Sequence, residues 1–218
     1  MNRDLDKIAH LRQDYRLLSL KKEDLDADPI RQFSQWFKDA MDANIQEPNV
    51  MCLATATKEG KPSARILLLK GFDEKGFVFY TNYHSRKGKE LLENPHAAMV
   101  FHWAALERQV RIEGKISLLP DEESDRYYQS RPRDSRIGAW ASPQSEVIKN
   151  RSVLEEKVKD LQKKYTEENP IPRPAHWGGY RLCPTMIEFW QGRASRLHDR
   201  FRYTRDENGT WKIERLAP

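Results

Sequence analysis

The chain has 218 residues, with 38 Lys or Arg against 33 Asp or Glu and a formal net charge of +5. That length suits one domain with a sizeable core, and cations interspersed with acids disfavour a nucleic-acid tail while leaving phosphorylated small molecules as natural partners. The amino terminus, MNRDLDKIAHLRQDY, is charged throughout, and the longest aliphatic run is Ile66 to Leu69, so the expected setting is cytoplasmic, without membrane insertion.

Leu5, Ile8, Leu11 and Tyr15 recur at three- and four-residue spacing and predict an amphipathic helix over 3–18. Asp28-Pro29 supplies an N-cap and an N1 proline for a second helix, whose apolar stripe is Ile30, Phe33, Trp36, Phe37, Ala40 and Met41. Pro48 closes this helical region. From Val50 onward, short runs rich in Val, Ile, Leu, Phe and Tyr predict antiparallel strands over 50–57, 63–70, 77–82, 97–103 and 107–118. Glu59-Gly60, Asp73 to Gly76 and Asn208-Gly209 supply hairpin turns, the last between strands over 198–205 and 210–215. Residues 121–129 and 145–165 have helical composition, and Pro170, Pro172 and Pro174 mark a stiff connector. Cys52 and Cys183 lack a metal-ligand spacing and read as buried free thiols, and no metal is expected. Composition and periodicity alone support an α+β, mainly β, class.

Three groups of residues carry chemistry. Ser85 caps a short helix whose first turn holds Arg86 and Lys87. Cations there oppose the helix macrodipole by roughly 0.3 to 1 kcal/mol each, a penalty that a bound phosphate would reverse. Arg131-Pro132-Arg133-Asp134-Ser135 reads as a turn-like basic loop in which proline keeps the two arginines apart, a pattern suited to phosphate. Arg196, His198 and Arg200 fall at every second position and would line one face of a strand, where they call for an anion and a group able to move protons. Phe189 and Trp190 supply flat apolar walls upstream, and Gly192 with Ser195 predicts a break. By spacing alone, Gln109 reads as a solvent-facing strand residue, Lys70 as a snorkelling lysine and Tyr127 as a core-edge tyrosine.

The segment Ile187-Glu188-Phe189-Trp190-Gln191, four variable residues, then Arg196-Leu197-His198-Asp199-Arg200 resembles the signature of the pyridoxine/pyridoxamine 5'-phosphate oxidases. The resemblance extends along the chain through RILLLK (65–70), FYTN (79–82), SRK (85–87), LERQVRIEG (106–114) and SRPRDSRIGAW (130–140). It implies an FMN-binding split β-barrel with attached helices, a single domain over 1–218 with an N-terminal helical segment at 1–46 and the barrel at 47–218. By the same resemblance FMN is held by Arg65, Ile66, Leu67, Leu68, Leu69, Lys70, Tyr80, Thr81, Arg86 and Lys87. Gln109, Gln144, Ser145, Trp190 and Arg200 join them, some reaching the cofactor from the second subunit of an obligate homodimer. The substrate phosphate falls to Lys70, Tyr127, Arg131 and Ser135. Arg196, Leu197 and His198 lie by the pyridine ring, and Arg12, Gln13, Asp14 and Tyr15 approach the substrate from the N-terminal helix. Arg196 and His198 are the implied catalytic pair, His198 either orienting the substrate's C4' substituent or accepting a proton. The implied reaction oxidises pyridoxine 5'-phosphate or pyridoxamine 5'-phosphate to pyridoxal 5'-phosphate. Dioxygen is the acceptor, and hydrogen peroxide, with ammonia from the amine, is released.

Overall fold

Asp28 and Pro29 start helix α1 (Pro29–Asp42) as the sequence predicts: the Asp28 carboxylate accepts the Ile30 N–H at 2.8 Å, and the proline occupies the first turn, where its missing N–H costs nothing. The computed structural model describes residues 10–11, 14–166 and 169–218. Within these, α1 is followed by β1 (Val50–Ala56), β2 (Pro62–Leu68), β3 (Gly71–Asp73), β4 (Gly76–Asn82), α2 (Arg86–Glu93), β5 (His96–Trp103) and β6 (Arg108–Leu118). Helices α3 (Asp121–Ser130), α4 (Arg133–Ala141) and α5 (Ser152–Lys164) come next, then β7 (Trp177–Gln191), β8 (Asp199–Arg205) and β9 (Trp211–Leu216). The strands form one sheet in the order β2-β1-β5-β6-β7-β4-β3, with β8 added to β7 and β9 to β8. Among the described residues, no helix is long and apolar enough to cross a membrane.

The chain divides into two compact units. One comprises Met1–Pro48, Val100–Ile112 and Thr185–Pro218, the other Asn49–Met99 and Glu113–Pro184. In the first, the apolar stripe of α1 buries Phe33, Trp36 and Ala40. Phe33 meets Phe101 at a centroid distance of 5.2 Å, and Trp36 meets Phe189 edge-on at 5.1 Å. Each such fully buried side chain contributes about 1.5 to 3 kcal/mol, so this stripe fixes the helix more firmly than its propensity does. In the second unit, β1 pairs with β2 from Val50↔Leu68 to Ala56↔Pro62, and β4 pairs with β7 from Phe77↔Leu182 to Asn82↔Trp177. Tyr128, Ile137, Tyr165, Ile171 and Trp177 form a buried cluster there that anchors α3 and α4.

Several expectations need correction. Residues 14–20 are not helical, so the helix expected over 3–18 does not extend through them, and positions 1–9 with Arg12 and Gln13 lie outside the described residues. Leu17 and Leu20 give their backbone N–H groups to the Glu107 and Asp199 carboxylates, at 3.0 and 3.1 Å, and not to a helical ladder. The strand expected from 198 begins at Asp199, after a 3-10 turn at Ala194–Arg196. Arg133 to Ser135 form the first turn of α4 rather than a loop, and the helix expected over 145–165 is confined to α5. Cys52 and Cys183, expected to be buried, are free thiols of intermediate burial, and strand β7, the longest among the described residues, has no counterpart among the expected strands. Its Pro184 falls between the segment paired with β4 and the segment paired with β8.

Candidate active site

The second unit holds a cavity of about 510 Å³ in which residues far apart in sequence meet. Strand β2 and the turn after it supply Ile66, Leu67, Leu68 and Lys70; β4 supplies Tyr80 and Thr81; α3 supplies Tyr127; the α3–α4 corner supplies Arg131 and Ser135; and Gln144 follows α4. Leu69 is buried beside them at 4 % exposure, and Lys70 lies just beyond the end of β2. Tyr80 and Tyr127 stack at 3.9 Å with Trp177 parallel to both, and the Arg131 guanidinium lies 4.6 Å from the Trp177 ring centre. Burial pushes the Arg131 pKa down, and its Nη1 is a buried donor without a hydrogen-bond partner. A half-buried guanidinium with one unpartnered donor is suited to an anion.

A second cluster of cations adjoins α2. Ser85 caps the helix, its hydroxyl accepting the Gly88 N–H at 3.3 Å. Gly88 is required by close approach, since a Cβ there would sit 2.1 Å from the Tyr83 carbonyl oxygen. Lys87 is buried and its ammonium reaches Thr81 Oγ1 at 3.1 Å, Gln144 Oε1 at 3.2 Å and Ser85 Oγ at 3.4 Å. Burial, then the charge of Arg65, lowers its pKa to about 8, against the opposing pull of Glu90. Arg65, in the middle of edge strand β2, and Arg86 both bond to Glu90. Arg86, Gln144 and Ser145 line a further cavity together with Lys89 and Glu90. Arg65, Arg86 and Lys87 outnumber the Glu90 carboxylate by two, and Lys61 and Lys89 offset Glu93 and Glu146 in the same cavity, a balance that complements a phosphate monoester of about −2.

The first unit gathers the signature residues. Asp14, Tyr15, Arg193, Ser195, Arg196 and His198 line one cavity. The His198 ring lies 4.5 Å from Trp190 and 5.9 Å from Tyr15. The Arg193 backbone N–H donates to His198 Nδ1 at 3.1 Å, so in the neutral ring the proton resides on Nε2. Burial, then the charges of Arg196 and Arg200, push the His198 pKa below its ordinary value. Ser195 and Arg196 both adopt left-handed backbone, with φ of 56° and 62°, and this reversal presents Arg196 and His198 together. Asp14 accepts the Ser195 N–H at 3.2 Å and pairs with Arg16. Gly192 admits the Tyr15 strap, since a Cβ would lie 2.8 Å from Tyr15 Cβ. Arg200 is held by the buried Glu188 carboxylate through Nε at 2.8 Å and Nη2 at 3.1 Å.

Arg196, His198 and Arg200 therefore do not share a strand face. Only Arg200 is in β8, while Arg196 and His198 sit in the preceding turn. Leu197 is 70 % exposed, and Gln109 is half-buried on β6. Sequence reasoning missed Trp177, which lines the cavity under Arg131, and the two buried anchors Glu90 and Glu188. The (i, i+4) spacing of Arg86 and Glu90 was a usable signal for one of them.

Known proteins resemble this chain along nearly its whole length. Residues 37–165 match the family described as pyridoxamine 5'-phosphate oxidase, and residues 177–218 match the pyridoxine 5'-phosphate oxidase C-terminal dimerisation region. The chain is 57 % identical over 211 residues to the pyridoxine/pyridoxamine 5'-phosphate oxidase of Trichormus variabilis, covering 97 % of this chain and 98 % of that one. It is 57 % identical over 215 residues to the Salinibacter ruber protein of the same name, covering 98 % and 100 %. Among solved structures, PhzG from Burkholderia lata in complex with tetrahydrophenazine-1-carboxylic acid superimposes with a TM-score of 0.87 at 33 % identity, over 94 % of this chain and all of that one. A pyridoxamine 5'-phosphate oxidase-related, FMN-binding protein from Nostoc punctiforme gives 0.70 at 20 % identity, over 89 % and 100 %, and so shares the split-barrel fold. With relatives of this identity along nearly its whole length, the chain belongs to the pyridoxine/pyridoxamine 5'-phosphate oxidase family of oxidoreductases.

Proposed function

We propose that this protein, working as a cytoplasmic homodimer in vitamin B6 metabolism, uses FMN and dioxygen to oxidise pyridoxine 5'-phosphate or pyridoxamine 5'-phosphate to pyridoxal 5'-phosphate. The alcohol and O2 yield the aldehyde and H2O2, and the amine consumes one water and also releases NH3. The observation that carries the reading is the single cavity joining Lys70, Tyr127, Arg131 and Ser135 to Ile66–Leu68, Tyr80, Thr81 and Gln144, with the half-buried Arg131 guanidinium among its lining residues. FMN fits the residues present: Arg65, Arg86 and Lys87 match its phosphate in charge, and Ile66 to Leu69 offer a β-strand edge and apolar surface for the flavin. When bound, FMN supplies the two-electron acceptor.

The chain's own residues bind, orient and exclude water. Lys70, Tyr127, Arg131 and Ser135 grip the substrate phosphate and thereby fix the distance at which its ring presents C4'. Arg196 stabilises negative charge at the ring. His198, neutral with Nδ1 already accepting a backbone N–H, acts through Nε2–H as a hydrogen-bond donor that orients the C4' substituent, in preference to a proton acceptor. Trp190, Arg200, Gln109 and Ser145 complete the cofactor site, and the Asp14–Tyr15 strap closes over the substrate. Residues 1–218 act as one functional domain in this reading, with both chains of the dimer contributing to each site. A phosphate grip of four side chains favours a phosphorylated pyridine over a carboxylated tricycle such as the ligand in the PhzG structure. The test is an aerobic assay with pyridoxine 5'-phosphate in which pyridoxal 5'-phosphate and peroxide are read together. Equal production of both products is expected, with unphosphorylated pyridoxine a poor substrate. Oxidation of pyridoxine as fast as its phosphate would remove the phosphate-grip assignment.

A further inference from the structure

The Glu90 carboxylate accepts four side-chain hydrogen bonds, yet neither the motif nor the family resemblance gives it a role. Its side chain is 5 % exposed. One oxygen, Oε2, accepts the Ser63 hydroxyl at 2.6 Å, the Thr55 hydroxyl in a shorter contact, and Arg65 Nη2 at 3.3 Å. The other, Oε1, accepts Arg86 Nε at 2.8 Å. Burial works against this charge. The hydrogen bonds from Ser63, Thr55 and Arg86, with the charge of Arg65, outweigh it and hold the carboxyl at about 2, so Glu90 is ionised throughout the working range.

The two arginines are used differently. Arg65 turns both Nη groups inward, Nη1 to the Leu53 carbonyl at 3.2 Å and Thr55 Oγ1 at 2.5 Å, Nη2 to Ser63 Oγ and Glu90. It contributes charge with a fixed position. Arg86 gives Glu90 only its Nε, which leaves the terminal Nη pair of a 58 % exposed side chain for the cavity that it lines with Gln144 and Ser145. A guanidinium held by its inner nitrogen presents its outer pair as a fork, the geometry that meets two oxygens of one phosphate. Without Glu90, two guanidiniums and the Lys87 ammonium would repel one another in a partly dry site.

We infer that Glu90 is a positioning residue for the cofactor phosphate: it aims Arg86, fixes Arg65, and so makes this site select a phosphorylated flavin over the same flavin without phosphate. The inference rests on the FMN reading above. It opposes the simplest Coulombic expectation, under which removing a carboxylate beside an anion site tightens the anion.

The experiment strips flavin from the full-length protein and titrates the apoprotein with FMN and with riboflavin, following flavin fluorescence, for wild type, Glu90→Gln, Arg86→Ala and the double variant. Apoprotein melting temperature serves as the fold check. Glu90→Gln should weaken FMN by about tenfold or more, the scale of one charge-assisted hydrogen bond, and leave riboflavin affinity unchanged. In the Arg86→Ala background that penalty should shrink, because Glu90 acts largely through Arg86. Glu90→Asp, which keeps the charge but shortens its reach, should lose part of the selectivity and carries the test if the glutamine variant does not fold. FMN binding equal to or tighter than wild type, parallel loss of both flavins, or an undiminished penalty without Arg86 would each overturn the inference. Equal wild-type affinity for the two flavins would overturn the phosphate-site reading beneath it as well, whereas wild-type selectivity that survives in Glu90→Gln overturns the inference alone.

Discussion

His198 and Lys87 have their protonation equilibria set by neighbours, and each shift has a sign that can be measured. For His198, burial and the charges of Arg196 and Arg200 favour the neutral ring, so its NMR titration midpoint should fall below the ordinary 6.5. Arg196→Ala removes one cation and should move the midpoint up; no change would deny Arg196 its place beside the ring. For Lys87, burial favours the free amine. The folded apoprotein therefore binds fewer protons than the unfolded chain between about pH 8 and 10.5, and stability from this group is regained as pH rises through that window. FMN affinity should run the opposite way. A phosphate wants the ammonium, so apoprotein affinity should decline as pH rises above about 8, a decline that Lys87→Met should abolish while lowering affinity overall. A flat wild-type profile across that range would mean the ammonium does not meet the phosphate.

At the scale of elements, the non-helical segment at 14–20 is the part whose role is most directly testable. It is joined to the signature turn by Ser195 N–H to Asp14, to Glu107 by Leu17 N–H, and to Trp190 by the Tyr15 ring at 5.8 Å. Deleting residues 1–18 leaves Leu20 and its bond to Asp199 in place. The truncated protein should keep its melting temperature and flavin content while its Michaelis constant rises several-fold; loss of flavin and fold together would make the strap purely structural. Elements coded by local signals were legible in the sequence: α1 by its cap and stripe, the hairpins by Gly60, Gly76 and Gly209 at positive φ, and α2 by Ser85. Elements whose logic is tertiary were not. Alternation placed Arg196 and His198 on a strand, but two successive left-handed residues intervene, and no periodicity anticipates a backbone reversal that long-range contacts stabilise. Tyr127 and Lys70 gain meaning only when α3 and the end of β2 meet in one cavity, and Glu90 only when Arg65 arrives from another strand.

For the whole molecule, Lys70, Tyr127, Arg131 and Ser135 belong to one compact unit and the Arg196–His198 turn to the other, while residues 177–218 match a dimerisation region. A dimer in which each site takes these two parts from different chains makes a distinctive prediction. Arg131→Ala and Arg196→Ala chains should each be nearly inactive alone. Co-expressed, they form mixed dimers in which one site carries both lesions and the other none, so activity should recover to about one quarter of wild type for random pairing. Absence of recovery in isolated mixed dimers would place both parts of each site in one chain.

The stack of Tyr80, Tyr127 and Trp177 beneath Arg131 also has an optical consequence. An indole held face-on to a cation emits according to the local field, and an arriving dianion cancels most of that field. Trp177 should thus report any phosphate that reaches Arg131. Inorganic phosphate, which absorbs nothing in the near ultraviolet, should shift the emission of the flavin-free protein, and the shift should vanish in Arg131→Ala and in Trp177→Phe. A signal that survives either substitution would have to arise at a different indole.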